Sequence, residues 1–302
     1  MNIIFFGTPD FAIPTLNNIL QSRHKILAVV TAPDKQRGRG KKVSFTPVKE
    51  FAIKNNIKIF QPFKFKDESF INNLKELNAD VFVVVAFRIL PVEVFTIPPK
   101  GAFNLHASLL PKYRGAAPIQ WALINGETET GVTTFFLKEK VDTGNIILQK
   151  KVDIDPEDNS GSLHDKLSLI GADLVIETLN LIESGKVILK EQKNGLASPA
   201  PKITKEICKI DWNNNAAEVH NLVRGLSPHP GAFFIHNNKI YKVFKTQVLT
   251  ISHLAPGEIY QTKKELVIGT KNGALRILEI QPEGRKRMAV TDFLRGYTLI
   301  GK

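Results

Sequence analysis

Asn104 and His106 sit two residues apart in the run Ala102-Phe-Asn-Leu-His106. Its composition predicts a short strand over Ala102 to Leu105 that runs into a loop broken by Pro and Gly. Alternate side chains of a strand share a face, so the pair points one way at the strand's carboxyl end. An Asn amide can donate a fixed hydrogen bond to a developing oxyanion. A His exchanges a proton near neutrality, at about 6.5 when unperturbed. Farther along, Val141-Asp-Thr-Gly144 places the Asp142 carboxylate in a tight turn before another strand. Polarising, proton-shuttling and orienting groups are the parts of an acid–base site. Between them, Ser108-Leu-Leu-Pro111 is pinned by its proline, and Lys112-Tyr-Arg-Gly115 brings two positive charges to the rim. An Asn-x-His pair alone is more often a hydrogen-bonded core pair than a catalytic one. It is the combination that points to chemistry.

Such residues need a scaffold, and the chain is long enough for one. Its 302 residues can form two domains with a sizeable core. Hydrophobic content of 43% and charged content of 23% are ordinary for a globular protein. No apolar run approaches the roughly 20 residues of a membrane helix, and Met1-Asn-Ile-Ile-Phe-Phe-Gly7 runs straight into a strand rather than a secretory leader. The single cysteine, Cys208, excludes an intramolecular disulfide and a cysteine-rich metal site. It fits a reducing cytoplasm. No metal is expected, because His106, Asp142 and His164 lack ligand spacing. The net charge of +12 and pI near 9.6 suggest a polyanionic partner. The last 100 residues hold 15 Lys and Arg against 8 Asp and Glu, so the C-terminal third is the more basic part.

The apolar run Asn2 to Phe6 reads as a strand buried on both faces. Thr8 and Pro9 read as the cap and first turn of a helix, and Lys25 to Thr31 as a second buried strand. This is the β-α-β opening of a doubly wound α/β sheet, without a GxGxxG fingerprint. Residues 32–47 form a loop carrying Arg37, Arg39, Lys41 and Lys42, either a solvated surface loop or an arm that orders on a phosphate backbone. Val81 to Ala86 is another buried strand, and Phe87, Arg88, Ile89 and Leu90 leave its carboxyl end. That loop and the Asn104/His106 loop should flank one crevice. Residues 190–210 show little periodicity and read as a linker. From Ala232 onward, short β-runs separated by turns predict a small antiparallel barrel or sandwich.

Several motifs occur together: Asn104-Leu-His106-Ala-Ser-Leu-Leu-Pro111, Arg114-Gly-Ala-Ala-Pro118, Glu129-Thr-Gly-Val-Thr133 and Asp142-Thr-Gly144. With Gly7-Thr-Pro-Asp-Phe11, the basic loop and the Ile203 to Trp212 hinge, they resemble the formyltransferases that use 10-formyltetrahydrofolate, over essentially the whole chain. The resemblance implies a Rossmann-like formyltransferase domain at 1–189, a linker at 190–210 and an OB-like domain that contacts tRNA at 211–302. It implies formyl transfer from 10-formyltetrahydrofolate to the α-amino group of methionyl-initiator tRNA, by a monomer. On the family's pattern Asn104, His106 and Asp142 are catalytic. Ser108, Leu109, Leu110 and Pro111, with Phe87, Arg88, Ile89 and Leu90, contact the folate. Arg37, Arg39, Lys41 and Lys42 belong to a loop that inserts into the tRNA. In two places the chain departs from the pattern. The loop Ala86 to Pro91 is one residue short and lacks a Gly, and His229 stands where the family usually has Trp.

Other activities share parts of this plan. A sugar-nucleotide formyltransferase could use the same two domains but not the basic insertion. A formyltetrahydrofolate hydrolase would place water at the same three residues. A non-catalytic RNA binder would rely on barrel aromatics such as Tyr241 and Phe244 beside Lys239, Lys242 and Lys245, and would leave Asn104, His106 and Asp142 without a purpose.

Overall fold

The computed structural model describes residues 1–37, 42–250 and 253–300. In chain order the first half is β1 (Asn2–Gly7), α1 (Ile13–Gln21), β2 (Lys25–Val30), β3 (Lys35–Arg37), β4 (Lys42–Ser44), α2 (Pro47–Lys54), β5 (Lys58–Phe60), α3 (Glu68–Glu76), β6 (Val81–Val85), α4 (Val92–Phe95), β7 (Ala102–His106), β8 (Arg114–Gly115), α5 (Pro118–Ile124), β9 (Glu129–Phe136) and β10 (Ile146–Asp153). The rest is α6 (Ser160–Ser184), β11 (Pro199–Ala200), α7 (Ala216–Gly225), β12 (Ala232–His236), β13 (Lys239–Leu249), β14 (Ile259–Gln261), β15 (Leu266–Gly269), β16 (Ala274–Pro282), β17 (Met288–Ala289) and α8 (Val290–Gly296). The chain divides into two compact units. Met1–Gly115, Glu129–Asp153 and His164–Pro199 form the first; Ala116–Thr128, Ile154–Leu163 and Ala200–Lys302 form the second.

The first unit is built on a seven-stranded sheet in the order β10-β9-β7-β6-β1-β2-β5. The strands from β7 to β5 are mutually parallel, while β9 and β10 run antiparallel at one edge. Both faces are covered, which is why β1 and β6 read as unbroken apolar runs. Ile4, Phe6, Phe82 and Val84 pack with Phe70 and Leu74 of α3 and Val94 of α4. On the other face Leu105 meets α6 at Gly171, where a Cβ would lie 2.7 Å from a Leu105 methyl. Asp67 caps α3 by accepting the Ser69 and Phe70 amides, and Thr46 caps α2.

Thr8 does not cap a helix. A short 3-10 turn, Asp10–Ala12, comes first, and α1 begins only at Ile13 with no side-chain cap. Within the segment expected to be a loop, β3 and β4 pair as antiparallel arms, with Arg37 opposite Lys42.

The second unit holds an OB-like antiparallel sheet, curled as a half-barrel in the order β12-β13-β16-β15-β14, with β17 on β16. Phe233, Phe234, Tyr241, Ile277, Ile280 and Phe293 are among its core side chains, joined by Val219 and Val223 of α7. The sequence reading missed α8, whose Phe293 is fully buried. Strand alternation breaks at a register shift between Val243 and Lys245, so Val243 and Phe244 are buried side by side. Tyr241 and Phe244 are each only 7% exposed, so they do not form the stacking surface a single-strand binder needs. His229 is exposed and does not fill the place of a packed Trp.

Candidate active site

Parallel pairing brings the carboxyl ends of β1, β6 and β7 to one edge of the sheet, and the residues singled out by chemistry gather there. Asn104 lies opposite Val84 on β6. Its Oδ1 is buried and has no hydrogen-bond partner among the described residues. A buried amide oxygen left unpaired is costly, and such an atom beside a His is suited to a polar ligand.

His106 is 7% exposed. Its Nε2 is 2.8 Å from the Tyr113 carbonyl oxygen. A carbonyl only accepts, so Nε2 carries a hydrogen and donates it. The ring's other nitrogen, Nδ1, faces Asp142 Oδ2 at 3.9 Å. That distance is too long for a hydrogen bond. The Asp142 carboxylate accepts its hydrogen bond from the Gly115 amide instead, at 2.9 Å. Asp142 has a left-handed φ of 53°, which turns its side chain toward His106. The neighbouring Gly144 approaches β9 so closely that a Cβ would lie 1.6 Å from the Phe136 carbonyl oxygen.

The Ser108 to Pro111 segment is tied down from β9 and β10. Thr133 Oγ1 donates to the Ser108 carbonyl at 2.6 Å and accepts the Leu110 amide at 3.2 Å. Gln149 Nε2 donates to the Leu110 carbonyl at 2.8 Å. The Ser108 hydroxyl donates to the Lys112 carbonyl at 2.7 Å. Ser108 and Leu110 are 0% and 3% exposed, and their bonded backbone groups face Thr133 and Gln149, so they shape the segment rather than line its surface. Leu109 and Pro111 are half-buried.

On the β6 side, Ala86 takes a left-handed φ of 48°. The loop thus makes its turn on a residue that is not glycine, at a cost of about 1 kcal/mol. Phe87 packs edge-on against Phe6, with centroids 5.7 Å apart. The Arg88 guanidinium stacks 4.3 Å from the Phe65 ring and donates to the Pro62 carbonyl. Burial pulls its pKa below the ordinary arginine value. Leu90 is buried, whereas Ile89 is 70% exposed. Arg37 and Lys42 close the β3–β4 pairing, while Arg39 and Lys41 lie outside the described residues.

Arg114 is not the rim charge expected of it. Its guanidinium is held by Gln192 Oε1 and Asn194 Oδ1 at 2.8 to 3.1 Å. No local pattern marks Gln192, which lies 50 residues beyond Asp142 in a stretch without periodicity.

Among the described residues no three His, Cys, Asp or Glu side chains converge as metal ligands, and no helix is long and apolar enough to cross a membrane. A cavity of about 400 Å³ beside the end of β5 is lined by Phe60, Phe63 and Phe70 and includes none of Asn104, His106 or Asp142. Chemistry, not volume, locates the site.

Residues 1–179 match the family model described as formyl transferase, and residues 202–298 match the formyl transferase C-terminal domain. The methionyl-tRNA formyltransferase of Caldanaerobacter subterraneus subsp. tengcongensis is 47% identical over 302 residues, covering 99% of this chain and 98% of that protein. The methionyl-tRNA formyltransferase of Thermodesulfovibrio yellowstonii is 50% identical over 295 residues, covering 97% and 95%. Among solved structures, WlaRD, a sugar 3N-formyl transferase in the presence of dTDP and 5-N-formyl-THF, has a TM-score of 0.70 at 24% identity and covers 95% of this chain and 99% of its own. HypX from Aquifex aeolicus in complex with tetrahydrofolic acid has a TM-score of 0.67 at 18% identity, covering 97% of this chain and 46% of its own. At these identities the structural likeness is one of fold.

Proposed function

The chain belongs to the formyl transferase family, and on that premise we propose that it transfers the formyl group of 10-formyltetrahydrofolate to the α-amino group of methionyl-initiator tRNA. The observation that carries this reading is identity of 47% to a methionyl-tRNA formyltransferase along nearly the full length of both chains. The buried, unpaired Asn104 Oδ1 beside His106 suits a site that takes up a polar reacting group.

The donor supplies a formyl carbon activated by its folate nitrogen. We assign Asn104, His106 and Asp142 as catalytic. Attack by the neutral amine builds negative charge on the formyl oxygen, and the Asn104 amide N–H and His106, once protonated on Nδ1, stabilise it. The Tyr113 carbonyl occupies Nε2–H, so Nδ1 is the atom through which His106 gains and loses a proton. A proton must leave the attacking nitrogen and one must reach the departing nitrogen. The Asp142 carboxylate, 3.9 Å from Nδ1, favours the imidazolium that forms in between.

The Ser108, Leu109, Leu110 and Pro111 segment and the loop of Phe87, Arg88, Ile89 and Leu90 would hold the folate. Arg37, Arg39, Lys41 and Lys42 would meet the phosphates of the tRNA, as would the basic C-terminal part. Residues 1–189 are assigned to catalysis, 190–210 to a link and 211–302 to tRNA contact. The protein acts as a monomer in the cytoplasm, and light scattering of the purified chain checks the monomer.

The deciding assay measures formyl transfer to methionyl-initiator tRNA, with elongator methionyl-tRNA and His106→Ala as controls. Activity that prefers the initiator and vanishes without His106 is the expected result. Folate binding with formylation of a sugar-nucleotide amine, but not of the tRNA, would overturn it.

A further inference from the structure

Gln192 is 5% exposed and has all its polar valences filled. Its Nε2 donates to the Asp142 carbonyl at 3.0 Å and to the Gly144 carbonyl at 2.8 Å. Its Oε1 accepts from Arg114 Nε at 3.1 Å and Nη2 at 2.8 Å. An amide has two donor hydrogens and one oxygen with two lone pairs, so every one is used. Two residues earlier, Lys190 exchanges both backbone hydrogen bonds with Ile146 at the start of β10. The segment is thus anchored where the Asp142 turn ends. The residue after Arg114 is Gly115, whose amide donates to the Asp142 carboxylate. One side chain therefore joins the backbone of the turn to the arginine beside the group that aims its carboxylate.

We infer that Gln192 is a positioning residue for the proposed chemistry: it holds the left-handed Asp142 turn so that the carboxylate faces His106 Nδ1. This deepens the formyl-transfer reading and rests on it for its catalytic consequence. The physical reason is specific to a carboxamide. The turn presents two carbonyls and Arg114 presents two N–H groups, and only a side chain with donors on one side and an acceptor on the other bridges them. Gln192→Glu keeps the acceptor for Arg114 but turns an oxygen onto two carbonyl oxygens. Gln192→Leu keeps the approximate volume and removes both functions. Neither substitution changes a group proposed to touch substrate.

The test combines nitrogen NMR of the His106 ring with steady-state formylation. The His106 signals are assigned in histidine-labelled protein by their loss in His106→Ala. The expected result is a shift of the His106 ring signals in both variants at one fixed pH. A fall in kcat of roughly ten- to hundredfold should accompany it, as expected for a group misplaced by about 1 Å, with both KM values within about twofold of wild type. A residue that only stabilised the fold would lower Tm and leave the ring signals and kcat of the folded enzyme in place. Should the Leu variant not fold, the Glu variant decides. Unchanged His106 signals in folded Gln192→Glu overturn the inference, whatever the chain formylates. A wild-type protein that fails to formylate methionyl-tRNA would instead overturn the proposed function, and the NMR comparison would still decide the role of Gln192.

Discussion

His106 donates its Nε2 hydrogen to the Tyr113 carbonyl at 2.8 Å, which leaves Nδ1 as the exchangeable face of the ring. Tyr113 itself has a left-handed φ of 61°, and its amide is accepted by the Ser198 hydroxyl at 2.9 Å. Asp142, on the Nδ1 side, is also left-handed and is braced by Gln192. Non-glycine residues in this region are uncommon and are kept where surrounding contacts over-determine them. Here both flank one imidazole, and the segment 190–198 braces both.

Asp142→Asn keeps the size of the side chain and an oxygen able to accept the Gly115 amide, but removes the negative charge facing Nδ1. The expected outcome is a loss in kcat of roughly a hundredfold or more, in the range of general acid–base effects, with folate affinity unchanged. Steady-state kinetics beside a folate-binding titration would show it. Equal losses in kcat and in folate affinity would mean that Asp142 shapes the pocket rather than acting on His106.

Gly144→Ala should be among the most damaging small substitutions in the first unit. The added Cβ would lie 1.6 Å from the Phe136 carbonyl oxygen and 3.1 Å from the Phe135 ring, and backbone of that kind cannot swing away. Overpacking costs about 1–3 kcal/mol even in ordinary cores, so Tm should fall by several degrees and activity should fall with it. Gly195 is the control, since a Cβ there meets nothing within 4 Å among the described residues and its φ is not positive. Gly195→Ala should leave Tm within about a degree of wild type in a thermal melt.

The legible parts of this protein were those written in local patterns. Unbroken apolar runs revealed β1 and β6 because both of their faces are covered. Two-residue spacing put Asn104 and His106 on one face, since pleating alone decides that. The aim of Arg114 was not legible: a guanidinium in a loop looks like a rim charge until Gln192 and Asn194, distant in sequence, are seen to accept from it. Asp142 was legible as the orienting group, but not the distance at which it faces His106. The carboxylate lies 3.9 Å from Nδ1 and accepts the Gly115 amide at 2.9 Å. The burial of Phe244 directly beside Val243 was not legible, because it depends on the register shift there.

Stability should fall on mild acidification, in part through His220. Burial is the main cause holding this imidazole below its ordinary value of 6.5, and Arg224 adds to it. The unfolded chain therefore binds a proton more readily than the folded one. The stability tied to the neutral ring is complete above about 6.5 and is lost as the pH falls through the lower folded value. Asp34, held below the usual carboxylate range by hydrogen bonds from Lys49 and Gln61, loses its contribution only below about 3.8. A comparison of Tm at pH 7.5 and 5.5 thus isolates the histidines. His220→Gln, which can still bond the Thr246 hydroxyl, should shrink the difference. A difference that stays the same would assign the acid sensitivity to other groups, with buried His24 the next to replace.

Ser198→Ala tests the other brace of His106. The substitution removes the acceptor of the Tyr113 amide at 2.9 Å, and a single such bond contributes about 1 kcal/mol to stability. If that were its whole role, the melt would shift slightly and turnover would not change. But the Tyr113 carbonyl is what holds Nε2–H, so freedom at Tyr113 lets the ring turn and displaces Nδ1 from Asp142. The expected outcome is a drop in kcat of a few-fold to roughly tenfold, smaller than that of Asp142→Asn because the charge remains, with KM for folate and tRNA preserved. Ser198→Thr keeps the hydroxyl acceptor and should restore most of the lost turnover. A fall in kcat that Thr does not rescue would mean the Ser198 side chain acts through packing rather than through the Tyr113 amide.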